Sequence, residues 1–248
     1  MKENNKNERI QKIISNYGSY SRREIEKLIK DKLVKIDGEI AKLGDKANIN
    51  SDIRILNKKL TLNLKQEYYV LNKPKGYICS RVDEKNKTAI SLINNYKNKN
   101  IFSIGRLDVN TTGLLIITND GYLSNYITLP KNKIRKTYLV WYQKKLTKEN
   151  IFNLKNGIKI DENYITKKLA NLKVIDNEKK FVIRITLIEG KNNQIKKMFI
   201  ALENKVINLK RIQIEDLKLN SLEIGKYKKY SKQEIYNFLN VRENKNEA

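Results

Sequence analysis

Ile104-Gly105-Arg106-Leu107-Asp108-Val109-Asn110-Thr111-Thr112-Gly113-Leu114-Leu115-Ile116-Ile117-Thr118-Asn119-Asp120-Gly121 runs from a polar loop through an apolar strand to a turn. Gly105 to Asn110 forms the loop. Thr111 to Thr118 includes the strand, and Asn119-Asp120-Gly121 closes it with turn-forming residues. Ile101 to Ile104 reads as a preceding strand, so Asp108 sits between two apolar segments. By composition alone, such an aspartate is a turn or capping residue.

The same mixture extends outward. Tyr68 to Asn72 reads as a buried strand, followed by the turn Lys73-Pro74-Lys75-Gly76. Lys136 to Tyr142, Phe181 to Ile188 and Val206 to Ile214 read as further strands. Glu189-Gly190-Lys191-Asn192 leads into a helix with an apolar stripe of Ile195, Met198, Phe199 and Leu202. Ser231-Lys232-Gln233-Glu234 is a capping-box pattern that opens a final helix, and the tail from Arg242 is expected to fray. Strands with interspersed helices and no strict alternation predict an α+β domain with a mostly antiparallel sheet.

A smaller unit precedes this region. Ile10, Ile13, Ile14 and Tyr17 follow helical spacing up to Gly18, and Ser21-Arg22-Arg23-Glu24 is a capping box opening a second helix with Ile25, Leu28 and Ile29 on one face. Val34-Lys35-Ile36 and Glu39-Ile40-Ala41 flank Asp37-Gly38, a hairpin signal because both turn residues tolerate positive φ. Ile53 and Ile55, then Leu60, Leu62 and Leu64, alternate and suggest more strands. Arg9, Lys12, Arg22, Arg23, Lys27 and Lys32 lie off the apolar faces. They read as a solvated surface or as a phosphate-binding face, the second favoured by Arg22 and Arg23 at a helix N-terminus.

Composition narrows the chemistry. The 248 residues carry 52 Lys+Arg against 27 Asp+Glu, a formal charge of +25, with a sequence pI of about 9.8. That excess points to an acidic partner such as nucleic acid. The chain has no histidine, which removes imidazole bases and His-ligated metal, and one cysteine, which removes a disulfide framework and a thiolate zinc site. Carboxylates, amines, hydroxyls and phenols remain. No apolar run approaches a membrane span, and MKENNKNERI lacks the apolar stretch of a secretory signal, so a cytoplasmic protein is expected. A membrane-surface binder is disfavoured because no amphipathic helix has a bulky apolar face beyond core needs. No Walker loop or dinucleotide fingerprint is present: GRLDVNTTG has its glycines in the wrong places. No cofactor and no metal are expected.

Two resemblances emerge from these residues. ERIQKIISNYGSYSRREIEKLIKDKLVKIDGEI, within Glu8 to about Leu56, is similar to the S-four RNA-binding domain of ribosomal proteins and RNA-modifying enzymes. Asp37-Gly38 stands where that family often has Asn-Gly, and Asp31-Lys32 where a glycine often precedes the first strand. IGRLDVNTTGLLIITNDG resembles the defining motif of pseudouridine synthases. YYVLNKPKGYICSR, KTYLV at Lys136 to Val140, LIEGKNNQIKKMF at Leu187 to Phe199 and LKRIQI follow that family's order. The combination resembles its ribosomal small-subunit and large-subunit uridine group.

The resemblance implies an S-four-like domain over residues 1–60 and a catalytic domain of the pseudouridine synthase fold over 66–242. It implies isomerisation of a specific uridine in ribosomal RNA or a pre-ribosomal particle, by a monomer. Large-subunit RNA is favoured over small-subunit RNA, and a catalytically idle ribosome-assembly protein is the remaining alternative. By resemblance Asp108 is the catalytic aspartate, Tyr138 stacks on the extruded base, and a cation from GKNNQIKK holds the carboxylate. The position usually holding arginine is Lys196 here; Lys197 and Arg106 are the other candidates for that cation. Arg106 fills the gap left by the base, holds a phosphate, or forms a structural salt bridge. Arg9, Arg22, Arg23, Lys27 and Lys32 are the expected RNA contacts of the small domain. Cys79 is expected to be a small core or strand residue.

Overall fold

The computed structural model describes residues 7–241, except 19, 63, 64, 95, 97–99 and 178. In the N-terminal unit, β1 (Glu8–Arg9) leads into α1 (Ile10–Tyr17) and α2 (Arg22–Lys30). Ser21 caps α2 through the reciprocal bonds of a capping box with Glu24, satisfying two helix-end donors. β2 (Val34–Ile36) and β3 (Glu39–Ile40) form the expected hairpin, with Asp37 at φ 49° and Gly38 at φ 95°. β4 (Lys46–Ala47) pairs with β1, and β5 (Ile53–Ile55) pairs with β2 and with β6 (Lys58–Lys59). Ile10, Ile13, Ile14, Ile25, Ile29, Val34, Ile53 and Ile55 form its core.

One expectation is corrected here. Leu60 and Leu62 are not strand residues: the chain reverses at Leu56-Asn57, both at positive φ, and β6 is Lys58–Lys59. Leu60 lies just past β6, its N–H donating to the Ile53 carbonyl at 2.8 Å, and both leucines pack against the core of the small unit, so their alternation reflects burial beyond the end of a short hairpin. Leu64 lies outside the described residues.

The larger unit is built on one sheet. Its strands are β7 (Tyr68–Lys73), β8 (Phe102–Ser103), β9 (Thr112–Thr118), β10 (Lys136–Tyr142), β13 (Asn171–Val174), β14 (Phe181–Leu187), β15 (Val206–Ile214), β16 (Leu217–Lys218) and β17 (Tyr227–Tyr230). The main path is β13-β14-β10-β15-β9-β7-β17, with β16 on β15 and β8 on β9. Every pairing is antiparallel except β15 with β9, where Lys210 meets Thr112 and Arg211 meets Gly113. Gly113, at φ 108°, is required there: a Cβ would stand 2.1 Å from the Arg211 carbonyl oxygen. A separate hairpin, β11 (Lys159–Asp161) with β12 (Tyr164–Ile165), stands beside the sheet.

Helices cover the sheet unevenly. α3 (Gly121–Thr128) and α6 (Lys232–Phe238) pack over Tyr68, Val70, Leu114 and Ile116 on one side. α4 (Lys148–Asn156) and α5 (Gln194–Ile200) pack on the other side, over Val140, Ile183, Ile185 and Leu209. The α+β, mostly antiparallel architecture agrees with the sequence reading. Asn119-Asp120-Gly121, read as a turn, also starts α3, because the Asp120 carboxylate accepts the Leu123 N–H as an N-cap. One apolar cluster lies within residues 10–62 and the other three within 68–241. From this separation of cores we propose the division into domains 1–60 and 66–242; residues 1–6 and 242 lie outside the described residues. Among the described residues, no helix is long and apolar enough to cross a membrane.

Candidate active site

The Asp108 loop is fixed from below. The buried Lys73, last residue of β7, sends its ammonium to the carbonyls of Pro74 (3.0 Å), Asp108 (3.1 Å), Thr111 (2.9 Å) and, at 3.4 Å, Val109. Burial pushes the Lys73 ammonium below the usual lysine range, while Cys79 and Asp108 act in the opposite direction. Leu107 anchors the loop in the apolar cluster of Tyr69, Leu71 and Leu115. Cys79 lies in no named strand. Its half-buried thiol accepts the Leu107 N–H at 3.3 Å and donates to the Leu107 carbonyl at 3.4 Å. Cys79 packs against the apolar cluster of Tyr69, Leu71 and Leu107, as a core residue is expected to, but from a loop and not a strand, and its thiol clamps the Leu107 backbone.

With its backbone held, the half-buried Asp108 turns its carboxylate toward α5. Lys196 Nζ donates to Asp108 Oδ2 at 2.6 Å and to Asn193 Oδ1 at 3.2 Å. Asn193, at φ 52°, is the residue that turns the chain into α5. The start of that helix is itself secured. Glu189, buried, accepts from Gln194 Nε2 (2.5 Å), the Tyr164 hydroxyl (2.5 Å) and the Lys167 N–H (3.0 Å). Burial, then Glu189, pushes the Tyr164 phenol up to about 12. Lys197, one residue beyond Lys196, pairs with Asp161 of the β11–β12 hairpin at 2.7 Å.

An open cleft lies over this arrangement. Asp108, Tyr138 and Lys196 line it together with Arg106, Thr111, Leu187, Gln194 and Leu209. The mixture of apolar walls with a few convergent polar groups suits a small planar ring. Tyr138 is half-buried in β10, paired across to Ile185 and Arg211. Arg106 is exposed at the edge and has no carboxylate partner among the described residues. The structure thus brings Asp108, Tyr138, Lys196 and Arg106 to one cleft, and sends Lys197 elsewhere. Lys73, Asn193 and Glu189 escaped sequence reading. A lysine beside proline and an asparagine before a helix carry ordinary turn signals, and the burial of Lys73 and Glu189 and the reach of Lys196 to Asn193 are tertiary facts.

On the small domain, Arg9, Arg22, Arg23, Lys27 and Lys32 are all exposed, and none pairs with a carboxylate among the described residues. Lys12 differs, since Glu8 neutralises it. Among the described residues no group of three or more His, Cys, Asp or Glu side chains could hold a metal ion.

Comparison with known proteins agrees with both halves of the chain. A family model described as RNA pseudouridylate synthase matches residues 67–201, and one described as the S4 domain, the S-four module, matches residues 8–53. The ribosomal large subunit pseudouridine synthase B of Bacillus subtilis is 35% identical, over 92% of this chain and 94% of its own. The ribosomal small subunit pseudouridine synthase A of Yersinia pestis is 33% identical, over 92% of this chain and 96% of its own. A crystal structure of a pseudouridylate synthase superimposes with a TM-score of 0.68 at 34% identity, covering 93% of this chain and 99% of that one.

Proposed function

Since this chain belongs to the RNA pseudouridylate synthase family and is an isomerase, we propose that it converts a specific uridine of ribosomal RNA to pseudouridine. Within that reading Asp108 carries the chemistry, Lys196 holds its carboxylate, and Tyr138 offers a ring face to the extruded base. The reaction breaks the bond between C1′ of the ribose and N1 of the uracil, and joins C1′ to C5. One proton leaves C5 and one is gained at N1, so atoms and electrons balance without an oxidant, reductant or nucleotide. A carboxylate suffices as nucleophile or base in a chain without histidine.

The observation that carries this reading is the Asp108–Lys196 contact of 2.6 Å on the wall of a cleft that Tyr138 also lines. A uridine inside a duplex cannot reach such a wall, so the base must leave its stack, and an aromatic face offsets part of that cost. Arg106, at the rim, is placed to hold a phosphate of the displaced nucleotide or to fill its gap. The exposed cations of the S4 domain supply further backbone contacts.

We favour large-subunit RNA as target, from the wording of GRLDVNTTGLL; the relatives bear names for both subunits. The deciding experiment is carbodiimide-based pseudouridine mapping of ribosomal RNA from cells with and without this gene. One lost site in the large-subunit RNA is the expected result; a lost site in the small-subunit RNA reassigns the target, and no lost site overturns the reading. With the purified protein, Asp108→Asn abolishes product while RNA affinity changes by no more than a few-fold, because phosphate contacts carry most of the affinity. Wild-type turnover by Asp108→Asn removes that residue from the chemistry.

A further inference from the structure

We propose that the rear face of the central sheet, around Trp141, is a second RNA-binding surface, which stacks a base of a single-stranded segment and grips the adjoining phosphates. The inference rests on the RNA-modifying reading and adds a place where the RNA touches the enzyme away from the cleft.

Side chains alternate across a strand. Val140, Ile183, Ile185, Leu172 and Leu209 face α4 and α5, and Tyr138 on that side lines the cleft. Leu139, Trp141, Val182, Arg184, Lys173, Asn208 and Lys210 therefore face the other way. Strand register sets these residues in two rows. Lys173 pairs with Arg184, Arg184 with Leu139, and Leu139 with Lys210, a row across β13, β14, β10 and β15. At strand spacings of about 4.8 Å the row is about 14 Å wide. Beside it, Val182 pairs with Trp141, and Trp141 with Asn208.

The helices on this side of the sheet lie elsewhere: α3 and α6 pack over β7, β9 and the Ile214–Leu217 end of β15 and β16. Leu139, Trp141 and Val182 pack against none of the four apolar clusters. Lys173 and Arg184 are exposed and Lys210 is half-exposed. None of the three forms an ion pair among the described residues, and neither row holds a carboxylate. A half-exposed indole bordered by unneutralised cations is how proteins hold single-stranded nucleic acid: the ring stacks a base of any identity while the cations track the backbone. A protein-docking patch has the opposite composition, with lysine depleted around an apolar centre. Charge complementarity therefore selects RNA.

Trp141 is the chain's one tryptophan, so fluorescence excited beyond tyrosine absorption reports on this face alone. The full-length protein is titrated with a short oligouridylate at several salt concentrations. Saturable quenching is expected. In the double variant Lys173→Gln/Arg184→Gln the dissociation constant read from quenching rises about tenfold, and its log–log salt slope flattens by about 1.4, the share of two phosphate contacts on a single strand. Pseudouridine formation on ribosomal RNA is measured in parallel. Product without quenching overturns this surface and leaves the enzymatic reading intact; quenching without product does the reverse. Quenching that is equally tight in the double variant, with circular dichroism confirming its fold, also overturns the surface.

Discussion

Lys196 Nζ lies 2.6 Å from Asp108 Oδ2, whereas its chain neighbour Lys197 lies 2.7 Å from Asp161 Oδ2 on the β11–β12 hairpin. Successive residues of a helix point about 100° apart, so α5 can aim only one of the two into the cleft. The two adjacent ammoniums divide two tasks: one meets the carboxylate proposed to do the chemistry, the other ties the helix to the hairpin beside it. Asn193 then steadies the first by accepting from the same ammonium at 3.2 Å.

That division predicts unequal variants. Lys196→Met keeps the stem and removes the charge, leaving the Asp108 carboxylate without the cation that orients it, and product formation should fall about tenfold to a hundredfold, because a misplaced reacting group is slow. Lys196→Arg should retain most activity, because a guanidinium supplies the same charge and can bond a carboxylate in two places. Lys197→Met should stay within a few-fold of wild type, since an exposed pair contributes little. Single-turnover rates on the target RNA decide it; a crippled Lys197→Met beside a normal Lys196→Met reverses the assignment.

The exposed arginines at the start of α2 predict a binding effect without a chemical one. Arg22→Ala/Arg23→Ala should weaken RNA binding and reduce the salt slope by up to about 2, by loss of counterion release, with the single-turnover rate at saturating enzyme unchanged. Filter binding across a salt series checks it. An unaltered slope means that these side chains stand clear of phosphate and the domain docks RNA through other residues.

Legibility in the sequence followed the strength of local signals. α1, α2 and their hairpin were readable because a capping box, helical spacing and Asp37-Gly38 all point the same way. β10 and β15 lie where their apolar runs predict. α4 was not legible: it buries only Leu154 among its nine residues, too little for a periodic stripe. Leu60 and Leu62 misled because alternation records which residues are buried, and a loop against a core can bury alternate residues too. In the cleft, motif resemblance pointed to Asp108, Tyr138 and Lys196, which the structure brings together; that Lys196 and not Lys197 meets Asp108 follows from the helix's rotation about its own axis, which no local signal records.

Lys136, at the start of β10, predicts a pH signature in stability. Burial, then the nearby Arg211 guanidinium, pushes its ammonium down to about 8, with Glu215 opposing. A depressed lysine means that the folded state binds its proton less well than the unfolded chain. The penalty is present in full below about pH 8 and is relieved as pH rises toward the ordinary value of about 10.4. Lys136→Met never carries it. The stability gap between Lys136→Met and wild type should therefore move in favour of wild type by on the order of 2 kcal/mol between about pH 7 and about pH 10, allowing for partial exposure. Urea denaturation of both proteins at the two pH values measures this gap. A constant gap means that the ammonium is hydrated in the folded state.

Lys73 is the residue on which the shape of the Asp108 loop depends. Its ammonium has three protons, and the carbonyls of Pro74, Asp108 and Thr111 lie at 2.9–3.1 Å from it. Asp108 is thus gripped by two lysines, at its carbonyl by Lys73 and at its carboxylate by Lys196. A buried lysine depressed by desolvation is costly in itself, and it is tolerable because these carbonyls solvate it. Lys73→Met fills most of the space but leaves the carbonyls with no donor. The expected loss of stability is about 3 kcal/mol, the range for breaking a buried, fully bonded charge. The Asp108 backbone is then free to shift, and a shift of about 1 Å costs about a hundredfold in a reaction that depends on placement. So kcat should fall far more than KM rises, and binding through the S4 domain should persist in the folded variant. Denaturant unfolding and single-turnover kinetics at a temperature well below the variant's Tm separate the two effects. A Lys73→Met enzyme that is destabilised yet turns over at the wild-type rate would show that Leu107 and the Cys79 thiol hold the loop without it, and one that is neither destabilised nor slowed would remove Lys73 from the architecture of the site altogether.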